Sequence, residues 1–146
     1  MKILVDADAC PVKQIIERIA RSRKVPVVMV VDTSHVLTSD YSEIIMVDQA
    51  KDSADICLAN LVAQGDIVVS QDYGVAAMAL GKGAAALNQN GLIYTDSNID
   101  QLLFERHLGQ KSRRTGKRTA AVKKRTSSDD EAFESALIHL LQKITQ

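Results

Sequence analysis

A chain of 146 residues with 46% apolar and 3% aromatic residues is long enough to bury a core, which Val, Ile, Leu and Ala must fill. Two cysteines give no disulfide framework, and neither the quickly acidic N-terminus MKILVDADA nor any other window reads as a signal peptide or a membrane span, so the expectation is a cytoplasmic protein that meets no membrane. The net charge of zero hides a split: residues 106–125 hold nine Lys or Arg and no acid, leaving nine basic against eighteen acidic groups elsewhere.

The first element is an apolar strand over residues 3–5 that runs into Asp6 and Asp8. Pro11 suits the first position of a helix. Val12, Ile15, Ile16 and Ile19 then recur at helical spacing, opposite a polar face. Residues 27–31 form a continuous β-branched strand, and residues 44–47 a third, ending at Asp48. A short, mostly apolar helix follows, with Asp52 and Asp55 at i and i+3, so the two carboxylates share a face. A Gly65-Asp66 turn leads into a buried strand over residues 67–69, which delivers Asp72 near its C-terminal end.

Residues 75–80 read as a small-residue helix closed by Gly81, and residues 84–87 as a candidate fifth strand. After the Asn90-Gly91 turn, residues 92–94 suggest a further short strand. Asn98 is expected to cap a helix reaching about His107, with Gln101 completing a capping box. Ser128 and Glu131 suggest another box, opening a helix whose Phe133, Leu137, Leu140, Leu141 and Ile144 make one apolar face that must dock. Strands alternating with helices give a three-layer α/β fold with a central, mainly parallel sheet, read as one domain over residues 1–146. Within it, residues 106–128 form a basic segment and 129–144 a C-terminal docking helix.

Two strand ends and one helix face thus aim carboxylates at the same edge of a sheet, where open α/β folds place their sites. Acids gathered in this way repel one another unless a cation holds them together. The alternative is structural: Asp52 and Asp55 cap their helix, and Asp6 and Asp72 accept hydrogen bonds from loop amides. The basic segment has the same two sides. It is either a solvated linker or a phosphate-binding surface, and it contains no aromatic residue on which bases could stack. Cys10 precedes Pro11 without a diagnostic His partner and is read as packed, as is Cys57 inside its apolar helix.

The segments D-I-C-L-A at 55–59 and G-D-I-V-V-S-Q-D at 65–72 resemble the second half of a PIN-type nuclease domain, in which a helix of the form D-x-x-[IL]-A precedes a strand ending in [TS]-x-D. More closely, the whole chain resembles the bacterial YaiI/YqxD family, grouped with PIN-like domains. The matching stretches are DADACPVK (6–13), GDIVVSQDYGVAA (65–77), LNQNGLIYTDSNID (87–100) and the basic RRTGKRT and KKRTSSDD stretches. The resemblance implies a three-layer PIN-like α/β domain and a metal-dependent nuclease that hydrolyses phosphodiester bonds, with RNA as the substrate by analogy. Its catalytic acids would be Asp6, Asp8, Asp55 and Asp72. The same four with Asp52 would hold Mg²⁺ or Mn²⁺. The further acid that such nucleases carry between the first strand and the helix falls on either Glu43 or Asp48. Arg113, Arg114, Lys117 and Arg118 would meet the phosphates of a nucleic-acid partner. A non-catalytic nucleic-acid-binding domain of the same fold is the alternative. A third reading starts from LVDADAC, whose Asp-x-Asp also opens haloacid-dehalogenase phosphatases, with Asp6 as nucleophile and Asp8 as general acid. That reading also needs a paired-acid motif after a strand, and Asp66 precedes its strand instead.

Overall fold

Short runs of branched apolar residues bounded by polar turns become strands buried on both faces, the signature of a parallel sheet. The computed structural model describes residues 1–34, 36–114 and 124–144, with 110–114 described by backbone alone. Its order is β1 (Ile3–Asp6), α1 (Lys13–Arg23), β2 (Val27–Asp32), β3 (Glu43–Val47), α2 (Ser53–Leu61), β4 (Ile67–Val69), α3 (Tyr73–Gly81), β5 (Ala85–Leu87), α4 (Asp96–Arg114) and α5 (Ser127–Ile144). The five strands lie in the order β3-β2-β1-β4-β5, and every neighbouring pair is parallel. Val5 pairs with Met29 on one side and with Val69 on the other, so β1 is the central strand.

Side-chain alternation splits the core into two layers. Ile3 and Val5 face a layer closed by α1 and α5, where Ile16, Phe133 and Leu137 are fully buried. Leu4 faces the other layer, with Leu58 of α2, Val75, Ala76 and Ala79 of α3, and Ile99 of α4. The three-layer α/β fold is therefore present, with helices on both faces of the sheet. Among the described residues no helix is long and apolar enough to cross a membrane.

Several local expectations are corrected. Pro11 lies in the turn before α1, whose N-cap is Val12. Residues 92–94 form no strand; Ile93 makes one isolated antiparallel bridge to Leu87 before the chain turns into α4. That helix is capped not by Asn98 but by Thr95: the Thr95 N–H donates to Asn98 Oδ1 (2.8 Å) and the Asn98 N–H to Thr95 Oγ1 (3.1 Å), a reciprocal capping box. Gln101 instead donates to Glu105. The box at α5 is Thr126 with Asp129 (2.9 Å), not Ser128 with Glu131. α4 also runs to Arg114, well past His107.

Candidate active site

The strand order reverses between β1 and β4: the chain winds β1, β2, β3 to one side, then crosses back to place β4 and β5 on the other. In an open parallel sheet, this switch point leaves a crevice at the carboxyl ends of the two strands. Asp6 ends β1 there, and the Ser70-Gln71-Asp72 turn leaves β4 beside it. By alternation Asp6 shares the face of Leu4, the side on which α2 and α3 pack.

Ser70 organises the turn. Its buried hydroxyl donates to Asp6 Oδ2 (3.1 Å) and accepts the Asp72 N–H (3.0 Å), while its carbonyl accepts the Tyr94 hydroxyl (3.2 Å). Asp72 is the N-cap of α3, its Oδ1 accepting from Gly74 N–H (2.8 Å) and Val75 N–H (3.2 Å). Asp8 accepts from the Asp32 N–H (3.2 Å) at the end of the neighbouring strand β2. Asp55 stands in the first turn of α2, and Asp52 is its N-cap in a left-handed conformation (φ 70°) whose side chain caps nothing. Asp72 thus caps a helix, as a structural role requires, and also stands among the other acids.

These groups share one electrostatic field. Burial pushes the Asp6 carboxyl up from its ordinary value of 3.8 to about 6. The Ser70 hydrogen bond opposes this, and the charges of Asp55, Asp8 and Asp72 add to it. The Asp55 carboxyl is also raised, by burial first and then by Asp72 and Asp52. Asp6, Asp8 and Asp72 line a cleft of about 620 Å³, together with Gln71 and Tyr73 and with Leu102, Glu105 and Arg106 of α4. The donor chemistry, all carboxylate and mutually repelling, fits a hard divalent cation. Among the described residues, however, no three His, Cys, Asp or Glu side chains stand close enough together to hold one. The acids share a field but not a closed coordination shell.

The basic segment divides. Arg106 lines the cleft, with its Nη1 4.0 Å from Asp72 Oδ1 and its side chain half exposed. Arg125 is a structural clamp: its guanidinium donates to Asp130 Oδ1 (2.8 Å), Asn90 Oδ1 (2.7 Å) and the Gln89 carbonyl (2.8 Å), tying the start of α5 to the turn after β5. Gln89 in turn accepts from cleft-lining Gln71. Arg113 and Arg114 lie in the last turn of α4 by backbone alone, and Lys117 and Arg118 lie outside the described residues. Ser70, Gln71 and Arg106 were not singled out from the sequence. Ser70 had a signal in the S-x-D spacing. Arg106 had none, because its place in the cleft follows from how α4 packs on α3.

Asp66 stands at the opposite, amino-terminal edge of the sheet. There its buried carboxylate accepts from Lys2 Nζ (2.7 Å), Lys2 N–H (3.1 Å) and Ala63 N–H (2.8 Å), which leaves it no part in a site at the carboxyl edge. Burial pushes both cysteine thiols up, and each packs half-buried against a core layer, as expected of inert cysteines.

A family model described as "Uncharacterized BCR, YaiI/YqxD family" matches residues 4–143 of this chain. Among similar proteins, the UPF0178 protein of Ruminiclostridium cellulolyticum is 65% identical over 94% of this chain and 90% of its own. That of Alkaliphilus oremlandii is 58% identical over 97% and 91%, and that of Clostridium acetobutylicum 51% over 98% of each. A solved structure of Rae1 (YacP) from Bacillus subtilis, a single-residue mutant, covers 99% of this chain and 91% of its own at 17% identity, with a TM-score of 0.48.

Proposed function

The chain belongs to the YaiI/YqxD family, and we propose that it is a metal-dependent phosphodiesterase acting on nucleic acid, with RNA as the substrate by analogy with PIN-type nucleases. The observation that carries this reading is the shared field of Asp6, Asp8, Asp55 and Asp72 at the switch point of the sheet. Such a concentration of negative charge, with one carboxyl raised to about 6, calls for a counter-cation. Asp6, Asp8, Asp55 and Asp72, with the charge of Asp52 beside Asp55, would draw Mg²⁺ or Mn²⁺ to the cleft, where as they stand no three of them close a coordination shell around one ion. When bound, such a cation would supply Lewis-acid polarisation and charge neutralisation for displacement at phosphorus.

The chain's own residues do the rest. Ser70 fixes the orientation of Asp6, and the cap on α3 fixes Asp72. Arg106 is placed to meet a phosphate oxygen at the cleft, where bidentate hydrogen bonding suits its guanidinium. Arg113, Arg114, Lys117 and Arg118 would carry the flanking phosphates.

The test is cleavage of labelled single-stranded RNA with Mn²⁺ by the wild type and by Asp72→Asn and Asp55→Asn. Asn caps a helix about as well as Asp, so Asp72→Asn keeps its fold while cleavage falls at least about 100-fold. Undiminished cleavage in both variants would remove these acids from the chemistry. A nucleic-acid binder without catalysis is the second candidate, in which Asp72 serves as the cap of α3. Wild type that binds RNA and never cuts it, with or without Mn²⁺, decides for that candidate.

A further inference from the structure

Beside the acidic cleft lies a second, apolar opening of about 250 Å³ between α2 and α3. Ile56 and Ala59 form one wall, Val75 and Met78 the other, with Asp55 and Gly74 at its mouth. Asp55 belongs to both places: it borders the groove, and its charge acts on Asp6. Gly74 is itself part of the cap of α3, and a Cβ there would stand 3.1 Å from Asp72 Oδ1. Ile56 is 60% exposed, an apolar surface left without a partner.

We propose that this groove is a base subsite: it takes the unpaired nucleobase next to the phosphate presented to the carboxylates, which makes single-stranded nucleic acid the substrate class. The inference rests on the phosphodiesterase reading for the position of that phosphate. The first turn of α3 joins the two places, since Asp72 and Tyr73 line the cleft, Gly74 and Val75 line the groove, and the Gly74 N–H donates to Asp72 Oδ1 (2.8 Å), so a nucleotide whose phosphate lies at the acids has its sugar and base within reach of α2 and α3. The cleft on the other side is lined mainly by polar and charged groups, with Tyr73 and Leu102 as its apolar members, whereas the groove is apolar on both walls. The groove offers aliphatic walls and, at its mouth, a carboxylate that can accept from a base amino group. Its volume lies just below the ~300 Å³ at which pockets for whole drug-sized ligands begin, which suits one ring system rather than a full nucleotide. A base in the groove cannot also be paired, and splayed single strands are the form in which nucleic acid offers unstacked bases.

The test compares fluorescence anisotropy of a short single-stranded oligonucleotide, its duplex, and the same strand carrying abasic sites. The wild type binds the intact single strand at least about tenfold more tightly than either of the others. Ala59→Phe, which fills the groove, loses that factor on the intact strand and nothing further on the abasic one. Ile56→Ala, at an exposed position on which the fold does not depend, weakens the intact strand about threefold or more and decides the matter if Ala59→Phe fails to fold. Equal binding of intact and abasic strands, or groove variants without effect, overturns the proposal. So does an Ala59→Phe variant that only turns a dimer into a monomer in light scattering, since a second copy would then be the occupant. Hydrolysis of bis(4-nitrophenyl) phosphate by the wild type with Mn²⁺ reports on the acids without any base. Its absence alongside base-dependent binding retracts catalysis and keeps the subsite; its presence alongside base-independent binding does the reverse.

Discussion

Asp6 concentrates the conflict between folding and chemistry. Its carboxyl is held by one hydroxyl, Ser70 Oγ, while burial and three neighbouring acids work against its charge. Its folded pKa of about 6 lies above the unfolded value of 3.8, so between those values the folded state binds the extra proton. Stability therefore falls as pH rises from about 4 to 6 on account of this group. Asp6→Asn removes that loss and keeps an acceptor for Ser70. Urea unfolding at pH 7.5 is expected to show the variant more stable by about 1–3 kcal/mol, the difference vanishing near pH 4. Asp66 has the opposite sign: burial alone would raise it, but the Lys2 and Ala63 hydrogen bonds outweigh that and hold it low, so its contribution is lost only as pH falls through its depressed value. The acid that looks costly faces the cleft, and the acid that stabilises faces away from it.

At the scale of elements, the strands were more legible than the ends of the helices. β2 and β4 are short, uninterrupted runs of mostly β-branched residues, which suit a strand buried on both faces, whereas the Ala-rich apolar run at 75–80 is a helix. The helix starts depended on contacts far apart in sequence. Ser128 with Glu131 satisfies the capping-box spacing, yet α5 begins at Ser127 because Arg125 grips Gln89 and Asn90, some 35 residues away, and sets the register of the chain entering it. The same junction holds Gly91 at φ +87° against α5, where an added Cβ would come within 2.5 Å of the Ala132 carbonyl oxygen. Gly91→Ala is expected to cost about 2–4 kcal/mol through backbone strain and overpacking. Arg125→Ala, which leaves the Asp130 carboxylate and two acceptors without this donor, costs about 1–3 kcal/mol in the same urea titration. A cost below about 0.5 kcal/mol for both would mean that α5 docks without this junction.

Over the whole molecule, charge is arranged along the chain more sharply than its zero net value suggests. The aspartates of the cleft come from the first half of the chain, and the nine basic residues at 106–125 from the second. The acidic half of the site was legible because parallel strands deliver their C-terminal residues to one edge. The basic half was not, because Arg106 enters the cleft and Arg125 leaves the phosphate-binding set through packing that composition does not encode. If the segment binds phosphates, affinity for single strands falls with salt by about 0.7 log units per log unit for each contact. Replacing Arg113, Arg114, Lys117 and Arg118 together by Ala is then expected to flatten the slope by about two to three units without changing sequence preference. Titrations of wild type and variant over a range of salt check this, and superimposable slopes would return the segment to a solvated linker.

α5 supplies Phe133, Leu137, Leu140 and Leu141 to the layer beneath β1, and it follows every other described element along the chain. Translation proceeds at about 5–20 residues per second, so a chain still on the ribosome has made Asp6, Asp55 and Asp72 well before the helix that roofs the other side of their sheet. For that interval the apolar underside of the sheet has only α1 to cover it, while the acids above are already in place. Transiently exposed apolar surface of this kind is aggregation-prone, and a premature stop before residue 127 would yield a chain that has every acid of the site but lacks the helix that completes its core.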